Sequence, residues 1–143
     1  MIAAIALATC LGMVDGSTSS NRPAVILEYT DSITDTFTGP VYVAFTRSSR
    51  SPPSTSMNWF APEPLYRIDV VNWNPGEPLE LDSDATGFPA MLGELDDGAW
   101  RLQAIMRMDP DLSSLAEGHA ALSEIITVNN GQADAWPARL TID

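Results

Sequence analysis

Lysine is absent from this chain of 143 residues, and histidine and cysteine occur once each. All seven basic residues are therefore arginines, and with 19 acidic residues the formal net charge is -12. Because phosphate groups would be repelled, this charge argues against nucleic acids and anionic membrane surfaces as partners. The lone cysteine, Cys10, excludes an intrachain disulfide bond.

The scarcity of histidine and cysteine also limits catalysis and metal binding. His119 is the single histidine, no Gly-x-Ser-x-Gly sequence occurs, and Ser123 lies four residues after it in a serine-rich chain. A Ser-His-acid hydrolase needs a nucleophile held beside its base, so a small hydrolase is the least favoured interpretation. One histidine and one cysteine cannot build a zinc site without carboxylates. We therefore predict a protein that is not an enzyme and that holds no cofactor.

One stretch comes close to a calcium-binding loop. Asp82, Asp84, Thr86 and Gly87 match the first, third, fifth and sixth positions of an EF-hand loop. The twelfth position is Gly93, which has no carboxylate, and the sequence predicts no flanking helices. We therefore interpret Asp82 and Asp84 as turn residues and keep calcium binding as the alternative.

The first 14 residues are apolar and rich in small side chains, and they are too short to span a bilayer comfortably. They resemble the hydrophobic part of a secretory signal peptide, although no basic residue precedes Arg22. We expect an exported protein, periplasmic or extracellular, with a polar linker at 15–23. The sequence before Cys10 resembles a lipoprotein cleavage site, but Thr9 is unusual there, so lipidation is less favoured.

Alternation of apolar and polar residues predicts a single all-β domain over 24–143. About seven strands with frequent turns favour an immunoglobulin-like antiparallel β-sandwich. A turn-rich run at 31–40, a long and mobile loop at 47–58 and one helical turn within 112–122 are expected between them. The predicted strands are residues 24–31, 41–47, 65–71, 77–81, 100–108, 123–129 and 138–142.

Two turns are specific enough to predict in detail. The Asn74-Pro75-Gly76 sequence suits a type II turn, in which proline sets one φ and glycine takes the positive φ. Leu95-x-x-Gly98-x-Trp100 resembles the turn-then-aromatic corner of immunoglobulin-like domains, where a tyrosine hydroxyl bonds back to the backbone. Trp100 can donate only through its indole nitrogen, so we expect a variant corner.

Five blocks of sequence resemble a known family. They are VYVAFTR at 41–47, NWFxPEP at 58–64, DVxNWxPGEPL at 69–79, GFP at 87–89 and LxxG at 95–98. Together they resemble the N-terminal β-sandwich domain of bacterial esterase-like proteins related to enterochelin esterase, over residues 25–128. In that family the sandwich precedes an α/β-hydrolase domain that carries the catalytic residues. The resemblance therefore implies an accessory domain and transfers no catalytic residue to this chain.

Two proline-framed corners are the predicted partner or ligand surface. Residues named for it are Trp59, Phe60, Glu63, Trp73 and Glu77. The favoured function is a non-catalytic, exported interaction domain that contacts a protein domain, such as a hydrolase domain. The alternative is a carbohydrate-binding module that binds polysaccharide on exposed tryptophans.

Overall fold

Nine β-strands make up about half of the residues that the computed structural model describes, which are 22–55, 60, 62–85, 87–108 and 120–143. The prediction of an all-β fold is confirmed. Each of the seven predicted strands is present, and the short strands β5 and β7 were not predicted. Their bounds are Val25–Tyr29 (β1), Phe37–Thr46 (β2), Leu65–Trp73 (β3), Leu79–Leu81 (β4), Gly87–Phe88 (β5), Gly98–Arg107 (β6), Ala120–Leu122 (β7), Ile126–Asn130 (β8) and Ala138–Ile142 (β9).

The strands form a smaller and a larger sheet in a sandwich-like arrangement. The smaller sheet has the order β4-β1-β9, and the larger has the order β5-β3-β2-β6, with β7 and β8 both paired to β6. Pairing is antiparallel except between β1 and β9, which run parallel. This parallel pair departs from the fully antiparallel sandwich that the sequence predicted. Residues 112–119 of the predicted helical turn lie outside the described residues, and Ala120–Leu122 is strand β7.

The core lies between the two sheets and follows the predicted alternation. On β1, Val25, Leu27 and Tyr29 are buried while Glu28 is exposed. The inward side chains of β6 are also buried; they are Trp100, Leu102, Ala104 and Met106. Burial of each large apolar side chain contributes about 1.5–3 kcal/mol, so this alternating pattern is what holds the sheets together.

Strand β2 begins at Phe37, four residues earlier than predicted, because Pro40 does not interrupt it. The Phe45 amide donates to the Pro64 carbonyl at 2.9 Å, so the odd-numbered amides of β2 point toward β3. The nitrogen of Pro40 therefore points away from β3, toward the side of β2 that faces β6. The pairing with β6 ends at Val41, so Pro40 has no partner there. Proline is tolerated here because no ladder hydrogen bond is lost.

The outer face of the larger sheet carries a second, smaller apolar cluster of Tyr42, Ala44 and Ile105. A loop covers part of this face. The Arg101 guanidinium donates to the carbonyls of Ser48 and Ser51 at 2.7 and 3.0 Å, which anchors that loop to β6. The described part of the loop, residues 47–55, is therefore hydrogen-bonded to the sheet.

Candidate functional site

The two proline-framed corners lie at opposite ends of β3. Phe60 and Glu63 precede the strand, whereas Trp73 ends it and Glu77 follows it. The nine residues of β3 span about eight steps of 3.3 Å, which separates the corners by roughly 26 Å. The structure therefore does not bring these side chains into one surface. Trp59 lies outside the described residues.

Trp73 is buried at the joint between the two sheets. Its side chain is 3% exposed, and its ring meets the ring of Tyr29 edge-on with centroids 4.7 Å apart. The Tyr29 hydroxyl donates to the Trp73 carbonyl at 2.6 Å. Burial raises the pKa of Tyr29, and the nearby carboxylates of Glu77 and Asp35 raise it further. Trp73 therefore packs the core and presents no face to a ligand.

The turn that follows Trp73 closes on itself, and residues 73–78 are called the Trp73 corner below. The Glu77 amide donates to the Asn74 carbonyl at 3.1 Å, and Gly76 has a φ of 77°, which confirms the predicted type II turn. The Trp73 indole donates to the Glu77 carbonyl at 2.7 Å, and the Glu77 carboxylate accepts from the Asn74 amide at 3.1 Å. Glu77 is thus engaged in holding the turn.

The Trp73 corner also docks on the other sheet. The Gly76 amide donates to the Tyr29 carbonyl at 2.9 Å, so the turn is tied to the end of β1 before the chain enters β4. The sequence indicated a turn here, but Tyr29 lies 44 residues from Trp73, and nothing in the sequence reveals that contact.

The other two described tryptophans are bonded in the same manner. The Trp100 indole donates to the Asp96 carbonyl at 2.8 Å, which is a bond back to the turn of the kind that a variant corner needs. The Trp136 indole donates to the Asn130 side-chain oxygen at 2.9 Å, and the Asn130 amide nitrogen donates to the Leu95 carbonyl at 2.8 Å. Trp100 and Trp136 are buried, so neither offers a ring on which a sugar could stack.

Glu63 belongs to a cluster at the start of β3 that also fixes Arg47. The Glu63 carboxylate accepts from the Arg47 amide at 3.0 Å. The Arg47 guanidinium lies 4.3 Å from the centre of the Trp100 ring and donates to the Asp97 carbonyl at 2.8 Å. These contacts connect the two loops at this end of the sandwich, and they give Glu63 a structural partner.

The candidate metal and catalytic residues have local structural roles or lie outside the described chain. The Asp82 carboxylate accepts from the Asp84 amide at 3.0 Å, which confirms the turn interpretation. Within the described ranges, no group of three histidine, cysteine or acidic side chains could hold a metal ion. The Ser123 hydroxyl accepts from the Ala104 amide and donates to the Glu124 carbonyl. His119, Cys10 and Thr86 lie outside the description.

Exposed apolar side chains mark a surface that the sequence analysis only partly identified. Phe60 is 99% exposed, Val71 75% and Phe88 62%. Phe88 pairs with Leu65, and both lie on the outer face of the larger sheet. Alternation along the predicted strand at 65–71 places Val71 on the face opposite the inward Tyr66, Ile68 and Val70, so its exposure was detectable. Phe88 was missed because a strand of two residues has no periodicity.

The uncovered part of the outer face is called the β3 strip. It comprises Leu65, Arg67, Asp69 and Val71 of β3 together with Phe88 of β5. The Arg67 guanidinium donates to the Asp69 carboxylate at 2.8 Å and lies 5.7 Å from the centre of the Tyr42 ring. Hydrogen bonding to Asp69 raises the pKa of Arg67, with Tyr42 contributing next. The strip therefore combines two exposed apolar side chains with an exposed ion pair.

Comparison with protein-family models, with curated protein sequences and with solved structures found no match to this chain. The resemblance to the esterase-associated sandwich domain therefore stays a prediction. No helix in the described parts of the chain is long and apolar enough to cross a membrane.

Proposed function

We propose that this chain is a non-catalytic, exported interaction domain that accompanies an esterase-like hydrolase domain. The observation that carries the proposal is the exposure of Phe88, which pairs with the first residue of β3, together with that of Phe60, which precedes β3 in the chain. Large apolar side chains exposed together with polar neighbours are typical of protein interaction sites. Such side chains lose unfavourable contact with water when a partner domain covers them.

The burial of the tryptophans supports an interaction domain over a carbohydrate-binding module. A sugar ring needs an exposed aromatic face, whereas Trp73, Trp100 and Trp136 are at most 6% exposed. Trp59 is the remaining candidate for stacking. Titration with a panel of cell-wall polysaccharides, followed by tryptophan fluorescence, should give no quenching or spectral shift. A saturable shift that Trp59→Ala abolishes would establish the carbohydrate alternative instead.

The accompanying hydrolase domain can be sought in the nucleotide sequence that follows this coding region. We expect an in-frame hydrolase sequence there. In the two-domain protein, changing both Phe60 and Phe88 to Ser should then lower the melting temperature of the hydrolase domain. Ile125→Ser is the matched control, since Ile125 is 38% exposed and follows β7 at the other edge of the sheet.

Two results would contradict the proposal. The first is a stop codon followed by unrelated genes, combined with a purified chain that stays monomeric. The second is hydrolysis of p-nitrophenyl acetate by the purified chain that is lost on His119→Ala, which would make the protein a small hydrolase.

A further inference from the structure

One pair of neighbouring residues in this chain has the composition for a chemical reaction within the backbone. Of the six asparagines, only Asn130 is followed by a glycine. The backbone nitrogen that follows an asparagine can attack the side-chain Cγ of that asparagine and close a five-membered succinimide ring. Glycine favours this attack, because it has no side chain to hinder the approach and its backbone rotates freely. Asn130-Gly131 is therefore the most reactive asparagine site in the sequence.

Asn130 is needed by the fold because its side chain joins two turns. It ends β8 and is 8% exposed. Its amide nitrogen donates to the carbonyls of Leu95 and Asp96 at 2.8 and 3.2 Å. Its side-chain oxygen accepts from the Trp136 indole at 2.9 Å. Only a group that both donates and accepts can make these three bonds, so the amide connects the turn before β6 to the segment before β9.

Glycine is needed at position 131 for two separate reasons. Its φ is 100°, a backbone conformation that residues with a Cβ atom rarely adopt. A Cβ atom at this position would also lie only 3.0 Å from the carboxylate carbon of Asp97. Replacing Gly131 would therefore strain the backbone, and replacing Asn130 would break the joint. The fold thus retains a reactive pair of residues for structural reasons.

We propose that Asn130 is a site of deamidation by the chain itself, that the folded domain suppresses this reaction, and that the products refold poorly. A bond forms between the Gly131 nitrogen and Cγ of Asn130, and the bond from Cγ to the side-chain nitrogen breaks. Ammonia leaves with the proton of the Gly131 amide. Water then opens the ring. Cleavage between the ring nitrogen and Cγ gives aspartate, whereas cleavage between that nitrogen and the main-chain carbonyl carbon gives isoaspartate.

The three hydrogen bonds of the Asn130 amide suppress the reaction in the folded domain. Cγ must turn toward the Gly131 nitrogen, and the side-chain nitrogen must leave as ammonia. Both steps require the bonds to Leu95, Asp96 and Trp136 to break. Deamidation is then limited to molecules in which this region has opened, and these are a small share of a stable domain.

Neither product fits the joint that Asn130 occupies. An ionised carboxylate accepts hydrogen bonds and donates none, so the carbonyls of Leu95 and Asp96 would lose their donor and face a buried negative charge. Isoaspartate also adds one carbon atom to the main chain where residue 130 pairs with Gly98. Unfolding followed by deamidation is therefore a one-way step for this domain.

The rate of deamidation tests the suppression. The full chain is held at mildly alkaline pH, either folded in buffer or unfolded in urea, and mass spectrometry of the proteolytic fragment measures aspartate and isoaspartate at position 130. We expect conversion at least about tenfold faster in urea than in buffer. In urea, where no variant has to fold, Gly131→Ala should slow the conversion several-fold. Equal rates with and without urea, or no conversion in urea, would overturn the proposal.

Two tryptophan substitutions test whether the local bonds protect Asn130. Trp136→Phe removes the donor to the Asn130 oxygen and keeps an aromatic ring, so the folded variant should deamidate several-fold faster than wild type. Trp73→Phe is the matched control, because it loses an indole bond to the Glu77 carbonyl at the opposite end of the larger sheet. Its rate should stay within about twofold of wild type. Equal acceleration by both variants would contradict the protective role of these bonds.

The effect of the products is tested by the same substitution at two neighbouring positions. Asn130→Asp should lower the urea midpoint or prevent folding, whereas Asn129→Asp, at an exposed position of β8, should leave the midpoint nearly unchanged. A second measurement needs no variant. Wild-type chain is held in urea for increasing times and then diluted, and the share that regains native tryptophan fluorescence should fall as conversion at position 130 rises. Full refolding of converted chain, or equal midpoints of the two variants, would overturn the proposal.

Discussion

The Trp73 corner and the β3 strip lie on the same strand and differ in how their side chains are satisfied. In the corner, the indole nitrogen of Trp73 and the carboxylate of Glu77 each bond to a neighbouring backbone group, and the tryptophan ring is buried. In the strip, Phe88 and Val71 are exposed. The conspicuous tryptophan and proline pattern thus belongs to an architectural joint, while the surface available to a partner consists of inconspicuous residues.

Among the substitutions that test this difference, removal of the Trp73 ring should have the largest effect on the free energy of unfolding. Trp73→Ala creates a cavity where two sheets meet and is expected to lower the free energy of unfolding by about 3–5 kcal/mol. Urea denaturation followed by circular dichroism measures this loss. Trp73→Phe keeps most of the packing and loses the hydrogen bond to Glu77, so it should cost less. Equal stability of Trp73→Ala and wild type would contradict the role assigned to the corner.

Alkaline pH should destabilise the protein through its buried tyrosines. Burial, with a smaller contribution from Glu94, raises the pKa of Tyr66 to about 12, against 10.0 in a free side chain. Between these values the unfolded chain loses the tyrosine proton and the folded chain keeps it, so stability is retained below pH 10 and falls by about 1.4 kcal/mol per pH unit above it. No lysine titrates in this range to mask the effect.

Tyr66→Phe is the control for the alkaline effect. The Tyr66 hydroxyl is buried with no hydrogen-bond partner among the described residues, so its removal should be neutral or stabilising at pH 7. Tyr29→Phe loses the bond to the Trp73 carbonyl and should cost about 1 kcal/mol at that pH. Urea titrations at pH 7 and 10.5 distinguish the two variants. An alkaline loss that is unchanged in Tyr66→Phe would contradict this assignment.

A smaller loss is expected from Gly76→Ala. The φ of 77° at Gly76 is unfavourable for a residue with a Cβ atom, although the space around it is open. The cost should therefore be about 1 kcal/mol from the backbone alone. Thermal unfolding measures the change, and Gly76→Asn should recover part of it because asparagine tolerates this conformation better.

The smallest effect on folding is expected in the β3 strip. Val71→Thr keeps the branched shape at an exposed position, and it should change the free energy of unfolding by less than about 0.5 kcal/mol. Val70→Thr is the matched substitution one residue earlier, where the side chain is 8% exposed, and it should cost about 1–3 kcal/mol. Similar costs at both positions would remove the distinction between the two faces of β3.

The sequence predicted the elements whose signals are local. Alternation located β1, β3 and β6 with their inward faces, and the Asn-Pro-Gly sequence predicted the type II turn. The start of β2 was predicted too late because of Pro40. Only the pairing of the strand shows that the nitrogen of Pro40 points away from β3. Strands β5 and β7 have two and three residues, which is too few for a periodic pattern.

The candidate site was harder to predict than the fold. The proline-rich corners attracted attention because of their composition, but whether a tryptophan is buried depends on residues far away in sequence, as Tyr29 is for Trp73. The anchoring of the loop at 47–55 depends in the same way on Arg101, which belongs to a strand 50 residues later. The exposure of a side chain depends on the whole folded surface. Periodicity predicts only which side chains of a single strand share a face.

The parallel pairing of β1 with β9 has a mechanical consequence. The first and last described strands lie side by side over five residue pairs, from Val25 with Ala138 to Tyr29 with Ile142. A force that pulls residue 22 away from Asp143 acts along both strands in opposite directions, so it loads all of their hydrogen bonds together in shear. An antiparallel pair pulled from neighbouring ends would instead open one bond at a time. The domain is therefore built to resist tension along its chain.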